Sequence, residues 1–210
     1  MHILAISLSG VKRLEYGGRQ TLTGICKEKV MGPVKVTQQG IEGDRQVDRK
    51  NHGGIDKAVY AYAVENYRFW EQELGKALAY GQFGENLAVS GMTDEQIHIG
   101  DIFQMSQVEV QVTQPRVPCF KLGMRMEDNE FVGRFHVSGR VGFYLRVLAE
   151  GELSPGDTIQ RLHADASQLT IRDAMLALNK NPRQQEIIQR ALAIPALSAA
   201  WRESLAKKQK

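Results

Sequence analysis

Apolar positions recur along this chain mostly at a spacing of two or in short unbroken runs, the signature of strands rather than helices. Ile3 to Ser9 reads as a strand apolar enough to be buried on both faces. Leu22 to Val30 and Val34 to Thr37 read as two strands joined by a turn at Met31-Gly32-Pro33. Ala58 to Ala63 is a further short strand, and Val64 to Leu78 is helical, with Tyr67, Trp70, Leu74 and Leu78 at threes and fours. Phe83 to Ser90, Ile97 to Met105, Val108 to Gln114, Val141 to Ala149 and Asp157 to Leu162 complete the strands. Phe131 to Gly142, with Phe135, His136, Arg140 and several glycines, reads as a mobile loop.

So many short strands with regular turn signals predict a mainly β fold, a closed barrel with a few helices, because closure removes exposed edges. Gly100-Asp101-Ile102-Phe103-Gln104 and Gly156-Asp157-Thr158-Ile159-Gln160 repeat one turn, with the aspartate satisfying local amides, so both aspartates read as structural. After Leu162 the pattern changes. Thr170-Ile171-Arg172-Asp173 is a helix start with an N-cap threonine and an acid in the first turn. Asn181-Pro182 reads as N-cap and first helical residue of a second helix, and Pro195 separates it from a third over about Ala196 to Lys207. The expected division is a barrel domain over 1–162 and a small three-helix element over 163–210, a scaffold or interaction element.

Composition narrows the field a little. The chain has 210 residues and a net charge of +3, too slight to argue for nucleic acid. Its two cysteines, Cys26 and Cys119, make no disulfide or zinc framework, and Cys26 sits in a strand-like alternation as a structural residue. No apolar run approaches membrane-spanning length, and Met1-His2-Ile3-Leu4-Ala5 lacks a basic leader, so the expected address is the cytoplasm with no membrane partner.

The sharpest chemistry lies in Gln114-Pro115-Arg116-Val117-Pro118-Cys119-Phe120-Lys121-Leu122-Gly123. The cysteine follows a strand and a proline, so a stiff loop presents its thiol. Arg116 and Lys121 favour the thiolate, the form that attacks electrophiles or ligates a metal. Cysteine is equally a common buried filler, and this run alone leaves both readings open. The second polar segment, Gly43 to Val59, shows neither helical nor strand period. Long loops of that kind inside compact domains are usually functional or disordered. Gly53 and Gly54 let backbone amides approach a ligand, while Arg45, Arg49, Lys50 and Lys57 supply positive charge. Any one of these lysines reads as merely solvated; the loop as a whole reads as a site. His52 reads as a donor to a phosphate or oxo group, and Arg116 offers the planar fork that suits an oxyanion. His98, His136 and His163 lack ligand spacing.

Together the polar pieces resemble the MOSC domain, named for the C-terminal domain of molybdenum cofactor sulfurase. They are Gly40-Ile41-Glu42-Gly43-Asp44-Arg45, His52 to Val59, Phe83-Gly84-Glu85-Asn86-Leu87, Ile99-Gly100-Asp101-Ile102-Phe103 and Gln114 to Cys119, in family order up to about Leu162. The helical tail is similar to the extension of the YiiM-like subgroup. The resemblance implies a MOSC barrel holding the molybdenum–molybdopterin cofactor, with Cys119 as the molybdenum ligand. It places Arg45, His52, Gly53, Gly54, Lys57, Asn86, Arg116 and Lys121 around that cofactor, and Cys119, His52 and Arg116 at the chemistry. Members of the subgroup are linked to resistance against N-hydroxylated purines, so the expected activity is reduction of N-hydroxylated compounds such as hydroxylaminopurines, detoxifying base analogues.

Pyridoxal phosphate is not required for such chemistry. The chain carries no iron–sulfur cysteine set and no Gly-x-Gly-x-x-Gly fingerprint, so the resemblance implies an electron-donor redox protein as partner. Related amidoxime reductases enclose the cofactor with an extra N-terminal β domain; here either the helices or a second subunit of a homodimer take that role, or the cofactor is held loosely. Two other classes stay open. One is a non-catalytic cofactor carrier or sulfur-handling module with a persulfide on Cys119. The other is a barrel that binds nucleotides or nucleic acid through the basic loop, which the weak net charge disfavours.

Overall fold

Val59–Ala63 has no exposed position, and the rest of the fold is layered around it. In the computed structural model, which describes residues 1–47, 53–179 and 181–209, this strand is β7. Before it come β1 (His2–Leu8), β2 (Lys12–Tyr16), β3 (Arg19–Thr23), β4 (Glu28–Val30), β5 (Val34–Thr37) and β6 (Gly40–Ile41). A single 3-10 turn, Ile55–Lys57, precedes it and helix α1 (Val64–Leu74) follows. Then come β8 (Leu87–Ser90), β9 (Ile102–Met105), β10 (Val108–Pro115), α2 (Phe120–Met126), α3 (Phe131–Ser138), β11 (Phe143–Ala149), β12 (Gly151–Leu153) and β13 (Ile159–His163). The tail forms α4 (Ile171–Leu176), α5 (Gln184–Ala193) and α6 (Ala199–Ala206). Among the described residues no helix is long and apolar enough to cross a membrane.

The main sheet has eight strands in the order β13-β9-β10-β11-β7-β8-β1-β4. Its pairs are antiparallel except β7–β8, whose parallel register (Ala61↔Leu87, Ala63↔Val89) requires the crossover that α1 supplies. The expected closed barrel is not found: the strand ladder ends at β13 on one side and β4 on the other. The pairing partners of β1 explain this. Its second half pairs with β4, which leaves only its first residues to face β13. There one isolated bridge, His2↔Thr158, and the bonds Ile3 N→Asp157 O (2.9 Å) and Ile159 N→Met1 O (2.9 Å) draw the ends together.

Several local expectations are corrected by packing. Leu22 to Val30 is not one strand: it breaks after Thr23 and resumes at Glu28. A Cβ on Gly24 would overlap the carbonyl oxygen of Arg45, so the backbone there turns inward against another loop. The hairpin β2–β3 was not expected, although Gly17 and Gly18, both at positive φ (57° and 74°), are the pair a tight hairpin turn demands. Helix α1 stops at Leu74 instead of Leu78, because Gly75 takes the left-handed conformation and its N–H bonds the Glu71 carbonyl. Residues 131–138 form helix α3, not a mobile loop. Phe131 and Phe135, four apart on one face, are both fully buried against Trp70 and Phe83, with ring centroids 4.8–6.2 Å apart.

In the tail, Thr170 accepts from the Asp173 N–H (2.9 Å) as an N-cap should. Asn181 is not the cap of α5. It accepts from the Arg183 N–H in a turn that precedes the helix, which starts at Gln184. The last helix starts at Ala199, capped by Ser198. Leu169, Ile171, Ile187, Trp201 and Leu205 belong to the same buried cluster as Val110, Val112 and Leu145 of the sheet. Backbone bonds reinforce it: Ile99 N→Leu169 O (3.0 Å), Ile171 N→Ile97 O (2.9 Å) and Ser198 N→Thr113 O (3.2 Å). A chain ending at Leu162 would expose that cluster, so it is expected to lose its cooperative transition in urea unfolding followed by tryptophan fluorescence and circular dichroism. A sharp transition retained by the shortened chain would show that the sheet folds without the helices.

Candidate functional site

The site is assembled by the ends of strands. At the end of β10 the register with β11 slips between Val112 and Gln114, a bulge of the kind that re-aims side chains beside active sites. The displaced Thr113 spends its hydroxyl on Asp56 O (2.6 Å) and Tyr144 O (3.2 Å). Beyond the bulge, Arg116 N donates to Gly142 O (3.0 Å), and the chain then turns through Val117-Pro118 to Cys119 at the start of α2. Gly142 has φ +70°, and any Cβ there would press on Ala61 O and the rings of Tyr60 and Tyr62. Asp94 holds this turn: its Oδ1 accepts both Val141 N (3.0 Å) and Gly142 N (2.7 Å), and Oδ2 accepts Asn66 Nδ2 (2.6 Å). Burial pushes the Asp94 carboxyl up to about 6 although those donors oppose the shift.

Arg116 thereby enters a cleft lined by Thr23, Gly24, Ile25, Lys27, Asp44 to Val47, Tyr60, Gly84, Asn86, Arg116, Cys119, Lys121 and Tyr144. Its guanidinium carbon lies 5.5 Å from the ring centroids of both Tyr60 and Phe135, so aromatic faces clamp it. Tyr144 hydrogen-bonds the same guanidinium; burial raises its pKa and Arg116 works against that. The Arg116 Nη1 atom is buried and has no hydrogen-bond partner among the described residues. Cys119 is half-buried, while the next side chain, Phe120, is half exposed at the rim.

The opposite wall is an ion pair. Lys27 Nζ lies 2.6 and 2.7 Å from the two Asp44 oxygens, and both side chains are less than a tenth exposed. Asp44 also accepts Ser9 N (2.9 Å) and Asn86 Nδ2 (3.0 Å), while Asn86 Oδ1 accepts Tyr60 N (3.1 Å). One carboxylate thus joins β1, the inward turn at 24–27, the loop after β6 and the entry to β8. Burial lowers the Lys27 pKa, with Asp44 and then Glu85 opposing it.

Five expected site residues, Arg45, Asn86, Arg116, Cys119 and Lys121, do share this cleft although more than seventy positions separate the first from the last. Gly53, Gly54 and Lys57 are not among the described residues that line it. Lys57 instead closes the 3-10 turn, its N–H bonding Gly54 O (2.9 Å) and its carbonyl accepting Gln46 Nε2 (3.1 Å). His52 lies outside the described residues. Sequence reasoning missed Lys27, Asp44, Tyr60 and Tyr144. Asp44 stood inside the Gly40–Arg45 piece but looked like one more loop acid. Lys27 was hidden inside an expected strand, where only the Gly24 interruption marked a break.

Residues 48–160 match the model of the MOSC domain. The chain is 40% identical over 207 residues to the protein YflK of Bacillus subtilis (strain 168), covering 99% of this chain and 94% of that one. It is 35% identical over 164 residues to a reductase of Gibberella moniliformis, covering 76% of this chain but only 29% of the reductase. The crystal structure of YiiM from Geobacillus stearothermophilus superposes with a TM-score of 0.84 at 31% identity, covering 100% of this chain and 99% of that one.

The Asp94 clasp gives the site a pH signature. Its folded pKa, about 6, lies above the ordinary 3.8, so its contribution to stability is full below pH ~3.8 and is lost as pH rises through ~6. Asp94→Asn removes this titration. In urea unfolding at steps from pH 4 to 7, the stability of the native protein relative to the variant should fall by about 2 kcal/mol. A difference that stays flat over that range would show that Asp94 ionises in the folded protein at its ordinary pH.

Proposed function

The chain belongs to the MOSC domain family, and on that premise we propose that it binds the molybdenum–molybdopterin cofactor and reduces N-hydroxylated compounds, hydroxylaminopurines among them. The observation that carries this reading is the unpartnered Arg116 Nη1, buried in the cleft that also holds the Cys119 thiol. An unsatisfied buried donor costs on the order of 1–3 kcal/mol, more when charged, and an anionic group entering the cleft would relieve it. The donor set fits the cofactor. Arg45, Arg116 and Lys121 suit its phosphate and oxo oxygens, and a single thiolate suits a soft metal that brings further sulfur ligands of its own. Among the described residues no cluster of three or more His, Cys, Asp or Glu could hold a metal, and Cys119 is the residue that would ligate the molybdenum on this reading.

When bound, the cofactor supplies the two-electron chemistry that takes an N–OH group to N–H and water. Cys119, fixed between Pro118 and the first turn of α2, anchors the metal. Arg116, clamped between rings, cannot swing away from the anion it holds. Tyr60 and Tyr144 form a wall on that side of the cleft. The reductase of Gibberella moniliformis supports a redox role by likeness alone. With two cysteines in the chain, electrons come from a partner protein carrying its own redox centre.

Protein expressed in a host that makes the cofactor should contain molybdenum and pterin and should reduce 6-hydroxylaminopurine with a chemical or protein electron donor. Cys119→Ala should abolish both molybdenum retention and turnover while thermal unfolding shifts only slightly. Arg116→Lys keeps the charge and loses the fork, so cofactor affinity should fall about tenfold. Wild-type turnover by Cys119→Ala would sink the assignment. Molybdenum held without any turnover would put a cofactor carrier in place of the reductase.

A further inference from the structure

Retention of an anionic cofactor needs cations on the cleft wall, yet one of these cations is set apart. Lys27 is held bidentately by Asp44, is more than nine-tenths buried, and still lines the same cleft as Cys119. A lysine recruited only to bind an anion would sit as Lys121 does, half-buried at the cleft wall. Taking the reductase reading as its basis, we propose that Lys27 is the acid that protonates the departing oxygen when an N–OH bond is reduced in this cleft.

Elimination among the groups lining the cleft leads to the same residue. Arg45 and Arg116 cannot release a proton near neutral pH. The Tyr60 hydroxyl is committed to Val141 O (2.7 Å), and burial holds the Tyr144 proton more tightly than usual. Asp44 is already engaged as an acceptor by Ser9, Lys27 and Asn86. Cys119 is assigned to the metal. Two lysines remain, the half-exposed Lys121 and the buried Lys27, and burial makes Lys27 a readier proton donor than a lysine nearer the surface, against the pull of Asp44 and Glu85.

In the balanced step the N–O bond breaks, the nitrogen gains two electrons and a solvent proton, and the oxygen takes one proton from Lys27 and leaves as water. A reduced donor protein would supply the two electrons by way of the cofactor that Cys119 and Arg116 would hold. Solvent returns the proton to Lys27, whose ammonium re-forms beside Asp44.

The decisive variant is Lys27→Arg, which keeps the ion pair with Asp44 but cannot give up a proton. Cofactor-loaded protein should retain its molybdenum and its unfolding temperature, lose turnover of 6-hydroxylaminopurine by about 100-fold or more, and lose the alkaline limb of its pH profile. Independently of turnover, wild-type protein labelled with 15N-lysine should show the Lys27 ammonium losing its proton at a lower pH than the other lysines, with the resonance assigned by its absence in Lys27→Arg. Rescue by Lys27→Arg to within threefold of wild type would overturn the proposal and leave a structural ion pair. A Lys27 signal titrating with the surface lysines would overturn it as well; where Lys27→Arg does not fold, Lys27→Met supplies the assignment. Loaded wild-type protein that turns over no N-hydroxylated substrate would instead refute the reductase reading, and the proposal with it.

Discussion

The Asp44 carboxylate, buried and shared by Lys27, Asn86 and the Ser9 amide, is the contact on which the cleft depends. Without it nothing would hold the loop after β6 against the end of β1, and Arg45 N→Ser9 O (2.8 Å) would be a lone bond at a loop base. An ion pair this dry returns little net stability, since desolvation consumes most of the attraction. Removing one partner is another matter: about 3–5 kcal/mol is lost because a charge stays behind unpaired. Such a pair is better explained as a register device. It fixes which residue of the inward turn faces which residue of the loop, and so which side chains face Cys119.

Asp94 does the corresponding work on the far wall with no cation at its carboxylate. It gathers two consecutive amides, Val141 and Gly142, whose carbonyls then accept from the Tyr60 hydroxyl and the Arg116 N–H. Gly142 is required because a side chain there would strike Ala61 O and both tyrosine rings. Two buried acids thus frame one cleft by different means, one through a neighbouring ammonium and one through peptide dipoles. The difference explains why burial dominates the titration of Asp94.

Much of this was legible in the sequence. The strands with plain alternation, such as Val108 to Gln114 and Val141 to Ala149, lie where the period puts them, within a residue or two at their ends. The link between a charged loop and a cysteine some seventy residues later was visible only through the family pattern, because no local rule connects Arg45 to Cys119. What escaped were features decided by contacts far apart in sequence. Helix α3 was misread because its glycines looked like loop residues, and only Trp70 and Phe83 reveal why Phe131 and Phe135 are helical. Lys27 was missed because a strand pattern runs through Leu22 to Val30, and the interruption is enforced from outside by the backbone of Arg45. Barrel closure failed for a similar reason: β1 had already given its second half to β4.

The helical tail bears on the cleft through one residue that neither the strands nor the chemistry would single out. Asp56, in the 3-10 turn before β7, accepts from Arg146 of β11 (2.9 and 2.6 Å) and, with its other oxygen, from the Ala199 N–H at the first turn of α6 (2.9 Å). Its own carbonyl takes the Thr113 hydroxyl at the β10 bulge. Next to it, Ser198 donates to Gln114 Oε1 (2.6 Å), two residues before Arg116. The start of α6 therefore touches both the turn before β7 and the strand end that carries Arg116 into the cleft. Partial positive charge at a helix N-terminus suits an anionic aspartate, which makes the junction favourable as well as rigid. The tail accordingly acts on the site at a distance, by fixing the backbone that presents Arg116.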